Sequence, residues 1–147
     1  MIGNKTAALC LETLGSRGIT HVLNMAQGEG AYRVDTDADY YANDGITFKG
    51  VAAEDAHFYD IAAHFEETSD FIETGLANVD GKVFVHCREG FSRAPTAVCA
   101  YLMSRKGMHL LEALKMVNER RKICPNMGFM EQLIELEERL NHERLSS

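Results

Sequence analysis

The sequence predicts an α/β domain in which a central, mostly parallel sheet is flanked by helices. Three features predict it. Short β-branched or apolar runs at residues 19–25, 46–51 and 82–86 alternate with longer stretches whose apolar side chains recur at helical spacing, the order of a sheet built through helical crossovers. The run Val83-Phe84-Val85-His86 is nearly continuous in apolar character, as a strand covered on both faces is. Finally, 147 residues with 46% hydrophobic and 25% charged side chains suit one domain, 1–147, that buries enough surface to fold without a disulfide or a metal.

Taken in order, residues 6–18 read as one helix through Ala7, Leu9, Cys10, Leu11 and Leu14, stopped by Gly18. The first strand, 19–25, and the second, 46–51, are joined by a long polar loop in which residues 28–39, with Tyr32 and Arg33, either wall a pocket or only connect. Residues 58–79 carry Phe58, Ile61, Phe65, Ile72 and Leu76 at mostly helical intervals, and Asp80-Gly81 closes the element. After the strand at 82–86, a helix over 94–106 has Pro95 in its first turn, where a missing N–H costs nothing, and Gly107 at its end. Its few polar faces put it in the middle of the protein. An amphipathic helix at 110–121 ends before Pro125-Asn126. The last helix sets Phe129, Met130, Leu133, Ile134, Leu136 and Leu140 against Glu131, Glu135, Glu137 and Glu138, an acidic face that should meet water.

Fifteen Lys and Arg against 22 Asp and Glu leave a net charge of −7, which repels phosphate backbones and anionic lipids, so neither nucleic acid nor membrane is an expected partner. No apolar run reaches the roughly 18–20 residues that span a bilayer, and the first residues do not open a secretory leader. The expected location is the cytoplasm, with the nucleus also open. Cys10, Cys87, Cys99 and Cys124 form no CxxC pair and have no His at zinc-ligand spacing, so free thiols and no metal are expected. Cys10 and Cys99 read as small core residues, and Cys124 as an inert thiol whose sharper alternative is to resolve an oxidised Cys87. His21, His57, His64, His109 and His142 read as surface or satisfied residues. No cofactor is implied.

The stretch that carries chemistry is Val85-His86-Cys87-Arg88-Glu89-Gly90-Phe91-Ser92-Arg93, a buried strand running through a tight loop into the central helix. Backbone N–H groups of such a loop converge on one point, and the helix dipole adds positive potential there, which makes an anion site. Arg93 closes the loop with a planar fork that holds two oxygens of a tetrahedral dianion, and Gly90 admits conformations barred to other residues. Cys87 starts the loop, where the same field favours a thiolate over a thiol. A thiolate beneath a bound phosphoryl group implies transfer of phosphorus to sulfur and hydrolysis of a phosphocysteine. His86 is read as holding the neighbouring backbone or tuning the sulfur, and the Ser92 hydroxyl as a donor to the loop.

A Cys separated by five residues from an Arg, preceded by His86 and with Gly90 three residues after the Cys, resembles the protein tyrosine phosphatase superfamily. With Gly18-Ile19-Thr20-His21-Val22-Leu23-Asn24, Ala100-Tyr101-Leu102-Met103 and Pro125-Asn126, the chain from about Gly3 to Leu140 is similar to the small, atypical dual-specificity phosphatases related to the vaccinia H1 enzyme. The resemblance implies a phosphatase-type phosphate loop between strand and helix, and Cys87 as nucleophile with Arg93 binding the phosphoryl group. Arg88, Glu89, Gly90, Phe91 and Ser92 would complete the loop. It also implies a general acid on a separate loop, where Asp55 in Ala53-Glu54-Asp55-Ala56 is the candidate and Glu54 the fallback. Arg121 matches a position that contacts a second phosphate. The implied substrate is a phosphorylated protein, such as a mitogen-activated protein kinase, dephosphorylated at tyrosine and also at threonine or serine.

Two departures from the family pattern stand out. Ala94 occupies the place of the usual Ser or Thr after the Arg, so phosphocysteine hydrolysis should be slow and the intermediate should accumulate. The relatives also carry a segment before the matching Gly3-Asn4 that shapes the pocket entrance. Two other functions compete with protein phosphatase activity. Phosphoinositide or RNA 5′-phosphate hydrolysis needs a basic cradle, against which stand Glu89 and the net charge. A weakly active phosphoprotein-binding module is suggested by Ala94, against which stand Cys87, Arg93 and Asp55.

Overall fold

All four strands of the sheet run parallel, in the order β1-β4-β2-β3. The computed structural model describes residues 1–146. The chain runs β1 (Ile2–Gly3), α1 (Lys5–Leu9), α2 (Leu11–Ser16), β2 (His21–Asn24), α3 (Ala38–Ala42), β3 (Thr47–Gly50), a 3-10 turn (Ile61–His64), α4 (Phe65–Ala77), β4 (Val83–His86), α5 (Arg93–Lys106), α6 (Leu110–Arg120) and α7 (Met127–Ser146). The expected α/β domain with a parallel sheet between helices is therefore the observed one.

Alternation along the strands sorts the core into two layers. Val22 and Phe84 face Ala8, Leu14, Ile19, Tyr41 and Ile46, beneath α1 to α3. Leu23, Val83 and Val85 face the other way, onto Ala97, Ala100, Met103, Phe129 and Leu133. β2 and β4 are buried along their whole length, which explains their near-continuous apolar runs. Helix α5 is central as expected, with Ala94, Ala97, Cys99, Ala100, Tyr101 and Met103 buried. Each large apolar side chain sealed here contributes about 1.5–3 kcal/mol, and α5 carries the end of the phosphate-loop motif into that rigid layer.

Four local expectations are corrected. The single helix over 6–18 is two helices, because Cys10 leaves helical geometry at φ −91° and ψ 86° while its N–H closes α1 on the Ala7 carbonyl. Cys10 is consequently exposed rather than a core residue, with its Sγ 3.0 Å from Thr13 Oγ1. Within the long polar loop, Asp37 caps a short helix, α3, by accepting from the Tyr40 N–H at 3.0 Å, and the Tyr41 hydroxyl donates to the Ala8 carbonyl at 2.7 Å. The acidic face of α7 is not wholly given to water, because Glu137 accepts from the Leu110 N–H at the start of α6.

Candidate active site

Strand β4 ends at His86 and α5 begins at Arg93, so Cys87 to Ser92 form the loop between a buried strand and a buried helix. Gly90 sits at φ +82°, and a side chain there would meet the Arg121 guanidinium at 2.7 Å and the Gly3 carbonyl at 2.8 Å, so the loop tolerates only glycine. The Lys5 N–H donates to the Arg88 carbonyl at 2.8 Å and the Cys124 N–H to the Phe91 carbonyl at 2.8 Å, which clamps the loop from α1 and from the α6–α7 connection. No side chain caps α5, so its first amides point into the loop with the positive end of the helix dipole.

The loop floors a cleft of about 540 Å³. Cys87 and Arg93 lie at the bottom, 2% and 4% exposed. Asp55, Glu54 and Ala56 form one wall, residues 29–33 another, and Arg88, Glu89, Phe91 and Ser92 the loop's own rim. Arg93 ties two walls together: Nη1 donates to the Ala53 carbonyl at 2.9 Å and Nη2 to the Tyr32 carbonyl at 2.8 Å. Its buried Nε has no protein partner. Two of the five N–H donors of this guanidinium are fixed on backbone, and the buried Nε–H left without a protein partner can serve an oxyanion bound in the cleft beside Cys87. Burial pulls Arg93 below its ordinary pKa, while Cys87 and Asp55 act in the opposite direction.

Asp55 is exposed at the cleft, and its Oδ1 accepts from Asn126 Nδ2 at 2.9 Å. The same Asn126 caps α7 by accepting from the Phe129 N–H at 2.9 Å, and its own N–H donates to Ser92 Oγ at 2.9 Å. Asn126 thus joins the acid wall, the phosphate loop and a helix N-terminus. Its role was missed from sequence, although Asn after Pro125 and ahead of an apolar helical run is a capping signal. Asn24 was missed too: fully buried at the end of β2, it donates to the Val34 carbonyl and Thr36 Oγ1 and accepts from the Ala26 N–H, so it shapes the wall containing Tyr32 and Arg33.

Other expected site residues take different places. Ser92 Oγ, read as a donor to the loop, accepts from the Asn126 N–H. His86 is buried behind the loop, stacked on Phe84 at 5.5 Å, with Nδ1 3.3 Å from the Cys87 carbonyl. Burial lowers its pKa to about 4, so the ring is neutral at pH 7. Arg121 does not line the cleft. Its Nη2 donates to the Glu89 carbonyl at 2.7 Å, its guanidinium lies 5.9 Å from the centroid of the Phe91 ring, and it borders an apolar groove formed by Ile2, Val98 and Leu102. Of the loop at 28–39, residues 29–33 wall the cleft, and Arg33 Nη1 donates to the Ala53 carbonyl at 2.9 Å. Cys99 is buried, and burial pushes its thiol up to about 12. Cys10, Cys87, Cys99 and Cys124 are all free, as expected.

A family profile described as "Dual specificity phosphatase, catalytic domain" matches residues 1–139. Dual specificity protein phosphatase 13B of Homo sapiens is 39% identical over 142 residues, which cover 97% of this chain and 71% of the relative. Among solved structures, human DUSP28 superposes with a TM-score of 0.80 at 30% identity, covering 95% of this chain and 88% of that one. A mouse putative dual specificity phosphatase complexed with zinc tungstate gives 0.81 at 30% identity, with 97% and 84% covered.

Proposed function

The chain belongs to the dual specificity phosphatase family, and from that premise we propose that it cleaves phosphotyrosine, with phosphothreonine as a second target, through a phosphocysteine on Cys87. It is a protein phosphatase of the dual-specificity type and acts on phosphorylated protein. In the proposed reaction the Cys87 thiolate attacks phosphorus in line. The bond from phosphorus to the tyrosine oxygen breaks, and Asp55 gives its proton to the leaving phenolate. Water then attacks the phosphocysteine, Asp55 takes a proton from it, and the thiolate departs, leaving inorganic phosphate. Arg93 and the loop amides hold the equatorial oxygens, where charge spreads in the transition state.

The observation that carries this reading is the buried, unpartnered Nε of Arg93 on the same cleft floor as Cys87, at the uncapped start of α5. The tungstate of the mouse relative is a tetrahedral oxyanion, the shape this floor suits. Tyr32 and Phe91, both exposed at the cleft, supply aromatic faces for a phosphotyrosine ring. A doubly phosphorylated kinase activation loop, such as that of a mitogen-activated protein kinase, is the substrate proposed. The test is phosphate release from phosphotyrosine and phosphothreonine peptides, an inositol phospholipid and a 5′-triphosphate RNA. The phosphotyrosine peptide should be the best substrate, and Cys87→Ser should abolish turnover. Asp55→Asn should slow alkyl phosphates far more than aryl phosphates with good leaving groups. Activity on the lipid or RNA alone would reject the substrate class, and equal slowing of all leaving groups would remove Asp55 from the acid role.

A further inference from the structure

Besides Arg93, two arginines line the cleft, Arg88 on the loop's own rim with a donor on the Ala31 carbonyl and Arg33 on the facing wall, and the proposed chemistry leaves Arg33 unused. Arg33 lies in the wall at 29–33, and its Nη1 donates to the same Ala53 carbonyl that accepts from Arg93. The two groups occupy different depths. Arg93 is buried on the floor, whereas Arg33 keeps 21% of its side chain exposed and its nearest carboxylate, Glu54, keeps 52%. Arg33 is therefore a rim cation, placed to meet what flanks the phosphorylated residue rather than the phosphoryl group itself. Its own counter-ion holds it loosely: Arg33 Nη2 is 3.7 Å from Glu54 Oε1, beyond hydrogen-bond reach, and an exposed pair of that kind is weak. Only one Arg33 donor is committed to backbone, so the remainder of the fork is free for a bidentate acceptor. Arg33 is also close enough to work against the Arg93 charge, a like-charge cost that an anion at the rim relieves.

We propose that Arg33 selects substrates whose phosphotyrosine has a second anion, a carboxylate or a phosphate, within about two residues, and that this anion displaces Glu54 from the guanidinium. The proposal rests on the phosphotyrosine reading above and names the substrate class of that site. Arg33 lines the cleft and Arg121 does not: the Arg121 guanidinium lies behind the loop, at the Glu89 carbonyl and near the Phe91 ring, and borders the neighbouring apolar groove. Glu54 acts as a competitor inside the protein, so selectivity arises from exchanging one ion pair for a better one.

The experiment measures binding, by fluorescence polarisation, of labelled phosphotyrosine peptides to the Cys87→Ser protein. One peptide has neutral flanks, one has glutamates beside the phosphotyrosine, and one has a phosphothreonine two residues away. The anion-flanked peptides should bind about tenfold more tightly than the neutral one, the scale of one charge-assisted bidentate contact. Adding Arg33→Ala should erase that ratio, Arg33→Lys should restore only part of it, and adding Glu54→Gln should widen it. An unchanged ratio in Arg33→Ala, or equal weakening of all three peptides, would overturn the proposal, the latter by marking Arg33 as a prop for the wall. Should the protein with Cys87 intact hydrolyse none of the peptides while the binding ratio holds, the catalytic reading fails and the role of Arg33 stands.

Discussion

At the scale of single residues, one departure from the pattern the sequence resembles has a kinetic consequence. Ala94 is fully buried in the first turn of α5, directly after Arg93, and offers no hydroxyl at the position where the resemblance implies Ser or Thr. In the proposed reaction, formation of the phosphocysteine does not need that hydroxyl, since the leaving group is the substrate oxygen, which Asp55 would protonate. Hydrolysis does, because the leaving group is then the Cys87 sulfur and a hydrogen bond stabilises its developing charge. The two half-reactions should separate: rapid-quench kinetics with an aryl phosphate should show a burst of phenol close to one per enzyme before a slow steady state. A hydrogen bond to a charged group contributes about 1.5–3 kcal/mol, so Ala94→Ser should raise steady-state turnover roughly tenfold or more and shrink the burst. No burst, with unchanged turnover in the variant, would show that something else stabilises the departing sulfur.

At the scale of elements, the cleft is held by helix ends and loop carbonyls rather than by any one strand. The N-terminus of α7 abuts the acid loop so closely that a side chain at Gly128 would run into the His57 carbonyl, and Asn126 caps the same helix while holding Asp55. Asn126→Ala should therefore lower stability by about 1 kcal/mol through the lost cap, and also slow substrates with poor leaving groups. Asn126→Asp keeps the capping oxygen but replaces the donor to Asp55 with a second carboxylate. Its melting temperature should stay near that of the natural protein while the leaving-group defect persists. If both variants lose stability and activity in proportion, the tie to Asp55 has no separate role. These elements also mark where sequence reasoning stops. Apolar periodicity made α4 to α7 and three strands legible, and the Cys87-to-Arg93 spacing made the floor of the cleft legible, because both are local patterns. Asp55 and Asn126 meet across 71 residues, and Arg93 reaches Ala53 across 40, so neither tie leaves a mark at short range. The break at Cys10 depends on one residue's backbone, and β1 is two residues long, too short for any alternation to register.

At the scale of the whole molecule, the same burial that keeps His86 neutral makes the fold sensitive to acid. His86 is the last residue of β4, where the strand meets the phosphate loop; it is completely buried, its Nε2 has no protein partner, and the cost of burying a charge outweighs the help that its Nδ1 contact with the Cys87 carbonyl gives to protonation. Its pKa is about 4 in the folded protein and near 6.5 once unfolded. The unfolded chain therefore binds the extra proton between those values. Stability is fully present above about pH 6.5 and falls as pH drops toward 4. Between pH 7 and pH 5 this one group should remove about 2 kcal/mol, a sizeable share of the roughly 5–15 kcal/mol that holds a domain together. His21, buried against Phe71 with its pKa also lowered by burial, adds to the loss with the same sign. Glu67, whose carboxyl is held down by His64, takes effect only in the carboxylate range below that window. Urea unfolding of the natural protein and of His86→Gln, measured at pH 7, 6 and 5, isolates the contribution. The variant starts from its own stability at pH 7, and its decline to pH 5 should be shallower by about 2 kcal/mol. Parallel declines would mean that the buried imidazole finds its proton's partner after all, and that the acid sensitivity of the fold lies in its carboxylates.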